Sequence, residues 1–244
     1  MTAPSCLDSA NCPVPDPRDV DLRRLRLIRL PEAATVHTSY RRDRWPELFN
    51  ASVIGNTRFS PLLADGSAIP TMYVAATQTV ALLETAFHEV HEIGTRIISE
   101  RLRLAPRGLV ALTVPGPLPL IDLTDEGLHR VGLARAQLVA TTPEHYPCTR
   151  EWAATLHRRR VGGIAPAGLL WRSRVAELAG ADSLLFADLL PRASEVCVLF
   201  GDRVSTEPAV WQPGDPHYDD LSGGDGRLLA EQIADQLGAV IVPN

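Results

Sequence analysis

Residues 70–94 constrain this chain most. Pro70 is followed by Thr71-Met72-Tyr73-Val74-Ala75-Ala76, a run with the β-branched and aromatic content of a strand. Thr77 is placed to cap a helix. Val80, Leu83, Phe87 and Val90 then recur at helical spacing, which predicts a helix facing a core and ending at Gly94. Glu84 falls inside that apolar half, where a carboxylate is costly unless it is paired or used.

Other segments mix strands and helices without a strict alternation of strand and crossover helix. Residues 109–114, 168–171 and 195–200 read as strands, the last being the strongest, and 239–242 follows a final helix marked by Leu228, Leu229, Ile233 and Leu237. A helix starting at Thr149 carries Trp152, Ala153 and Leu156 inward and stops at Gly162-Gly163. Residues 21–30 fit an edge strand or a short helix, 41–70 an ordered loop with short strands, and 213–225 a loop. Residues 1–20, with Pro13, Pro15 and Pro17, read as a flexible arm ahead of a domain spanning 21–244. The expected class is α+β, one compact domain.

Composition narrows the function. The 244 residues are 45% hydrophobic, ordinary for a globular chain, and the formal net charge of -5 argues against a protein that coats nucleic acid. No apolar run approaches the roughly 20 residues that span a membrane. The N-terminus lacks the basic start and apolar core of a secretory signal, so the expected compartment is the cytoplasm. Four cysteines, Cys6, Cys12, Cys148 and Cys197, are too scattered for a disulfide scaffold, and Cys197 reads as a small buried hydrophobe. The P-loop, the dinucleotide-binding glycine fingerprint, H-E-x-x-H and G-x-S-x-G are all missing. A zinc set of His145, Cys148 and His157 matches no usual spacing, and no metal is expected.

Arg58, in Gly55-Asn56-Thr57-Arg58-Phe59-Ser60, offers a fork of donors to phosphate or carboxylate. Tyr73 brings a flat face and a hydroxyl from a strand. Glu84 follows, and Ser173 comes much later in Trp171-Arg172-Ser173-Arg174. Each has a plainer explanation: Arg58 a surface ion pair, Tyr73 a core aromatic, Glu84 the edge of the apolar stripe, Ser173 a capping hydroxyl. His88 and His91 share the helical side of Glu84, where partial burial explains them as well as chemistry does. Their meaning comes from occurring together and in order.

As a set, these residues resemble the RES family, named for an arginine, a glutamate and a serine. The resemblance runs over residues 30–205 and rests on Phe49-Asn50 through Arg58-Phe59-Ser60-Pro61, Ile69–Ala75, Ala81-Leu82-Leu83-Glu84-Thr85-Ala86-Phe87-His88, Trp171–Arg174 and Leu199–Val204. Residues 205–244 form a C-terminal extension beyond it. The resemblance implies a fold similar to the diphtheria-toxin-like ADP-ribosyltransferases. It also implies NAD⁺ as substrate and the role of a toxin in a bacterial toxin–antitoxin pair, partnered by a helix-turn-helix antitoxin. It makes Glu84 and Arg58 the catalytic pair, with Arg58, Tyr73 and Ser173 binding NAD⁺. One departure stands out: the family's earlier strand arginine corresponds here to Thr38, so that either Arg41 or Arg29 takes over its role or the role is lost.

The implied reaction cleaves the nicotinamide–ribose bond, by hydrolysis or, with inorganic phosphate as second substrate, by phosphorolysis. No cofactor is called for, since NAD⁺ is consumed. Nicotinamide leaves as a neutral base, and a fixed carboxylate stabilises the oxocarbenium-like transition state. Two alternatives use the same residues: a protein ADP-ribosyltransferase, and a degenerate member that binds a nucleotide without turnover.

Overall fold

A computed structural model describes residues 6, 8–88, 90, 96–177 and 192–243. In chain order the strands are β1 (Leu27–Leu30), β2 (Thr35–Arg41), β3 (Leu62–Ala64), β4 (Ser67–Ile69), β5 (Thr71–Ala75), β6 (Ile97–Ser99), β7 (Arg107–Thr113), β8 (Leu118–Asp122), β9 (Gly168–Arg172), β10 (Glu195–Phe200), β11 (Pro213–Tyr218) and β12 (Val240–Val242). The α-helices with both ends among the described residues are α1 (Gln78–Leu83), α2 (Asp125–Arg130), α3 (Tyr146–Arg158) and α4 (Gly224–Gln236).

Eight strands make one sheet in the order β1-β8-β9-β10-β5-β2-β7-β11. Its pairings are antiparallel except β8 with β9. The period-two alternation of a strand sends successive side chains to opposite faces. In β10, Val196, Val198 and Phe200 enter the larger core with α1, α3 and α4, whereas Cys197 and Leu199 enter a second core with Met72, Val74, Val110 and Trp211. Burial on both faces explains why the central strands read as nearly continuous apolar runs. The architecture is α+β, as expected.

The junction of β2 and β5 is the weak seam of the sheet. Only His37 and Ala75 pair across it. Nearby, the Thr38 hydroxyl donates to the Tyr73 carbonyl at 2.8 Å. Beyond this staple the two strands diverge and open a cleft.

Several expectations need correction. The helix after Thr77 is real and capped as expected, the Val80 N–H donating to Thr77 Oγ1 at 3.2 Å, but it ends after Leu83 instead of reaching Gly94. The Thr85 hydroxyl donates to the Ala81 carbonyl and the Phe87 N–H reaches back to Leu82, a wider turn that breaks the helical ladder. Val80, Leu83, Phe87 and Val90 are nevertheless all buried, so the periodicity located the inward face correctly. Gly94 and His91 lie outside the described residues. The helix placed at Thr149 begins at Tyr146, with Pro147 in its first turn. Residues 213–225 are not all loop: β11 pairs with β7 at the sheet edge, with an irregularity between Gly214 and His217, and prolines are tolerated on an edge strand. Leu228 faces solvent rather than the core. Residues 21–30 hold both alternatives, a short 3₁₀ turn (Leu22–Arg24) and then β1 on the sheet edge. Part of the expected arm is packed: Val14 and Pro17 are buried, and the Trp152 indole donates to the Pro15 carbonyl at 2.7 Å. No helix among the described residues is long and apolar enough to cross a membrane.

Candidate active site

The cleft at the β2–β5 seam has a volume of about 590 Å³, within the range of small-molecule sites. Its lining gathers Arg58, Tyr73, Glu84 and His88. Four further arginines line it, Arg41, Arg44, Arg103 and Arg107, and Glu47 is the other carboxylate.

Glu84 sits at the C-cap of α1, half-buried, where the helix ends against the cleft. The Ser173 hydroxyl donates to Glu84 Oε1 at 2.5 Å and accepts the Ala176 N–H at 3.0 Å. Ser173 is 0% exposed. It therefore orients the carboxylate from behind, and the capping role considered for it is also real.

Tyr73 points from β5 toward the larger core. Its ring meets Trp171 edge-on at 6.0 Å, and its hydroxyl accepts the Phe59 N–H at 3.1 Å and bonds Thr57 Oγ1 at 3.0 Å. Burial pushes the phenol up to about 12, so it stays neutral and fastens the loop that carries Arg58. Arg58 is 9% exposed. Its Nη1 donates to the Thr141 carbonyl at 2.9 Å and hydroxyl at 2.7 Å, and its guanidinium lies 5.0 Å from the centre of the Tyr146 ring. The Thr149 hydroxyl donates to the Arg58 carbonyl. This arginine is pinned in place, not a mobile surface cation.

The arginines of the other wall were not expected, apart from Arg41. Arg107 opens β7 half-buried, and its Nε is buried without a hydrogen-bond partner among the described residues. Burial, with Arg103 and Arg41 nearby, pushes its guanidinium down from its ordinary range. An anion in the cleft would reverse that penalty. No sequence signal marked Arg107, since an arginine at a strand start ordinarily reads as solvated.

A model of the RES domain matches residues 14–212. The chain belongs to the RES family. The match begins earlier and ends later than the 30–205 read from the motifs. It takes in the packed part of the expected arm. Among solved structures, a chain of the M. tuberculosis MbcT–MbcA toxin–antitoxin complex is similar, with TM-score 0.52, 17% identity, and coverage of 87% of this chain and 93% of that one. No curated protein matches.

The arginine, glutamate and serine expected from the motifs meet at one cleft, but differently: Arg58 and Glu84 line it, and Ser173 stands behind Glu84. Of the two candidates to replace the arginine missing at Thr38, Arg41 lines the cleft, although it also binds Asp43 at 2.8 Å. Arg29 is exposed on β1, at the far edge of the sheet, paired in register with Pro119. Arg172 and Arg174 do not line the cleft; Arg172 lies 3.3 Å from Asp125.

Proposed function

We propose that this RES protein degrades NAD⁺ by cleaving its nicotinamide–ribose bond. The observation that carries the reading is the separation of charge in the cleft: arginines on the β2–β7 wall, a positioned carboxylate at the end of α1. NAD⁺ carries the matching pattern, a negative diphosphate at one end of the reacting half and a positive pyridinium at the other. Arg58 and the opposite arginines hold the diphosphate. Glu84 faces the ribose carbon.

In the reaction the C–N bond breaks and its electron pair neutralises the pyridinium nitrogen, so nicotinamide needs no proton to leave. Positive charge grows on the ribose, and Glu84, held by Ser173, stabilises it through preorganisation. Water or inorganic phosphate then forms the new C–O bond. Water gives ADP-ribose and a released proton; phosphate gives the sugar phosphate. Tyr73 keeps the Arg58 loop in place. NAD⁺ is thus a substrate and not a retained cofactor.

The test is incubation of the purified protein with NAD⁺, with and without phosphate, following nicotinamide and the sugar product. Release of nicotinamide by wild type and its loss in Glu84→Gln support the reading; equal behaviour of the two proteins overturns it. Label from NAD⁺ fixed on protein would point to ADP-ribosyl transfer, and NAD⁺ bound without turnover to a binding-only member.

The similarity to a chain of a toxin–antitoxin complex supports a toxin role with an antitoxin partner, for which a helix-turn-helix protein is the proposal, with the cytoplasm as the proposed compartment. Expression alone should then lower cellular NAD⁺ and arrest growth, with Glu84→Ala relieving both.

A further inference from the structure

Three of the four cysteines converge with one histidine at the start of α3, and none of the four residues lines the cleft just described. Cys6 and Cys12 come from the N-terminal segment; His145 and Cys148 lie a turn apart where α3 begins. Cys6 Sγ is 3.4 Å from His145 Nδ1, and Cys12 Sγ is 3.6 Å from Cys148 Sγ. The donor atoms of Cys6, Cys12 and His145 all lie within 4.8 Å of one another, and Cys148 joins this set through Cys12.

We infer that Cys6, Cys12, Cys148 and His145 bind a structural Zn²⁺. A tetrahedral zinc has Zn–S near 2.3 Å and Zn–N near 2.0–2.1 Å, which sets ligand–ligand edges of roughly 3.8 Å for S···S and roughly 3.5 Å for S···N. The observed 3.6 and 3.4 Å sit close to those edges. A disulfide needs sulfurs about 2.05 Å apart and would use only two of the three thiols. Three soft sulfurs and one imidazole select zinc over hard cations such as magnesium or calcium. On binding, each thiol releases its proton to solvent as a Zn–S bond forms, and neutral His145 coordinates through Nδ1. His157, the other histidine considered for a metal, is elsewhere, 2.9 Å from Asp202, and Cys197 is buried in β10.

The site would fasten the N-terminal segment to the start of α3. That start carries Tyr146, beneath Arg58, and Thr149, bonded to the Arg58 carbonyl. Zinc would thus hold the floor under the arginine without touching substrate.

The test uses untagged protein from zinc-supplemented medium, analysed by plasma mass spectrometry for metal and by intact mass for oxidation. Expected is about one zinc per chain in wild type and in Cys197→Ala, and about a tenth of that or less in Cys12→Ser and Cys148→Ser. Should those variants fail to fold, wild type stripped with chelator and titrated with Co²⁺ decides. Intense visible bands with thiolate-to-cobalt charge transfer confirm a tetrahedral thiolate site. Metal-free wild type without cobalt bands, or a mass two hydrogens short from a Cys12–Cys148 disulfide, overturns the inference. Neither readout depends on NAD⁺ cleavage.

Discussion

Arginine is answered differently in two regions of this molecule. Just before β1, Arg26 Nε lies 2.5 Å from Asp122, which is 0% exposed, and Nη1 lies 2.7 Å from Glu126. Asp122 also accepts the Thr124 N–H at 2.9 Å. Charge there closes on itself and joins the sheet edge to α2. In the cleft, Arg107 has a buried Nε without a partner among the described residues, beside Arg41 and Arg103. The first region spends its arginine on stability. The second leaves the Arg107 Nε unpaired where a buried carboxylate partner would ordinarily be expected, the arrangement of a site waiting for an anion.

The sharpest way to break this contrast is to remove the negative charge at the end of α1. Glu84→Gln keeps an acceptor for Ser173 but loses the charge. On the proposed mechanism kcat for nicotinamide release falls by about 10²–10³-fold with KM little changed, the signature of lost transition-state stabilisation. Steady-state kinetics check it, and a change confined to KM would reassign Glu84 to substrate binding.

The two arginines should then part company. Arg26→Ala leaves Asp122 a buried, poorly compensated charge and should destabilise by about 2–4 kcal/mol in urea unfolding, toward the lower part of the range for broken buried pairs because Arg26 is 33% exposed. Turnover per folded molecule should be unchanged. Arg107→Gln should do the reverse: KM for NAD⁺ rises about 10-fold, the size of one lost charge-assisted contact, while the unfolding midpoint holds or rises as like-charge repulsion is relieved. If Arg107→Gln lowers the unfolding midpoint and leaves KM for NAD⁺ unchanged, the distinction between the regions collapses.

What was legible in the sequence follows from which physics is local. β5, β7, β9 and β10 announce themselves because burial on both faces demands unbroken apolar runs. Glu84 stands out because its neighbours at helical spacing are buried. β11 was hidden because Pro213, Gly214 and Pro216 are loop residues by local preference, and only an edge position lets them pair. The early end of α1 depends on a side-chain hydroxyl competing for a carbonyl, which periodicity does not register. Arg107 was invisible because its lack of a partner is a property of the assembled cleft. The thiol cluster was invisible for the same reason: Cys12 and Cys148 are 136 residues apart in sequence, with no spacing that marks a local motif.

The smallest effect tests the cleft's scaffolding rather than its charge. Tyr73→Phe keeps the ring against Trp171 and deletes the hydroxyl that accepts the Phe59 N–H and bonds Thr57. One buried backbone donor is left unanswered, costing about 1–2 kcal/mol of stability. The same loop carries Arg58, whose guanidinium remains tied to Thr141, so its release is partial. KM should rise only a few-fold, about 3–5 times if roughly 1 kcal/mol of positioning is lost, with kcat held because Glu84 and Ser173 are untouched. If kcat falls as far as in Glu84→Gln instead, the phenol acts on the reacting atoms, and the division between a binding wall and a reacting corner must be redrawn.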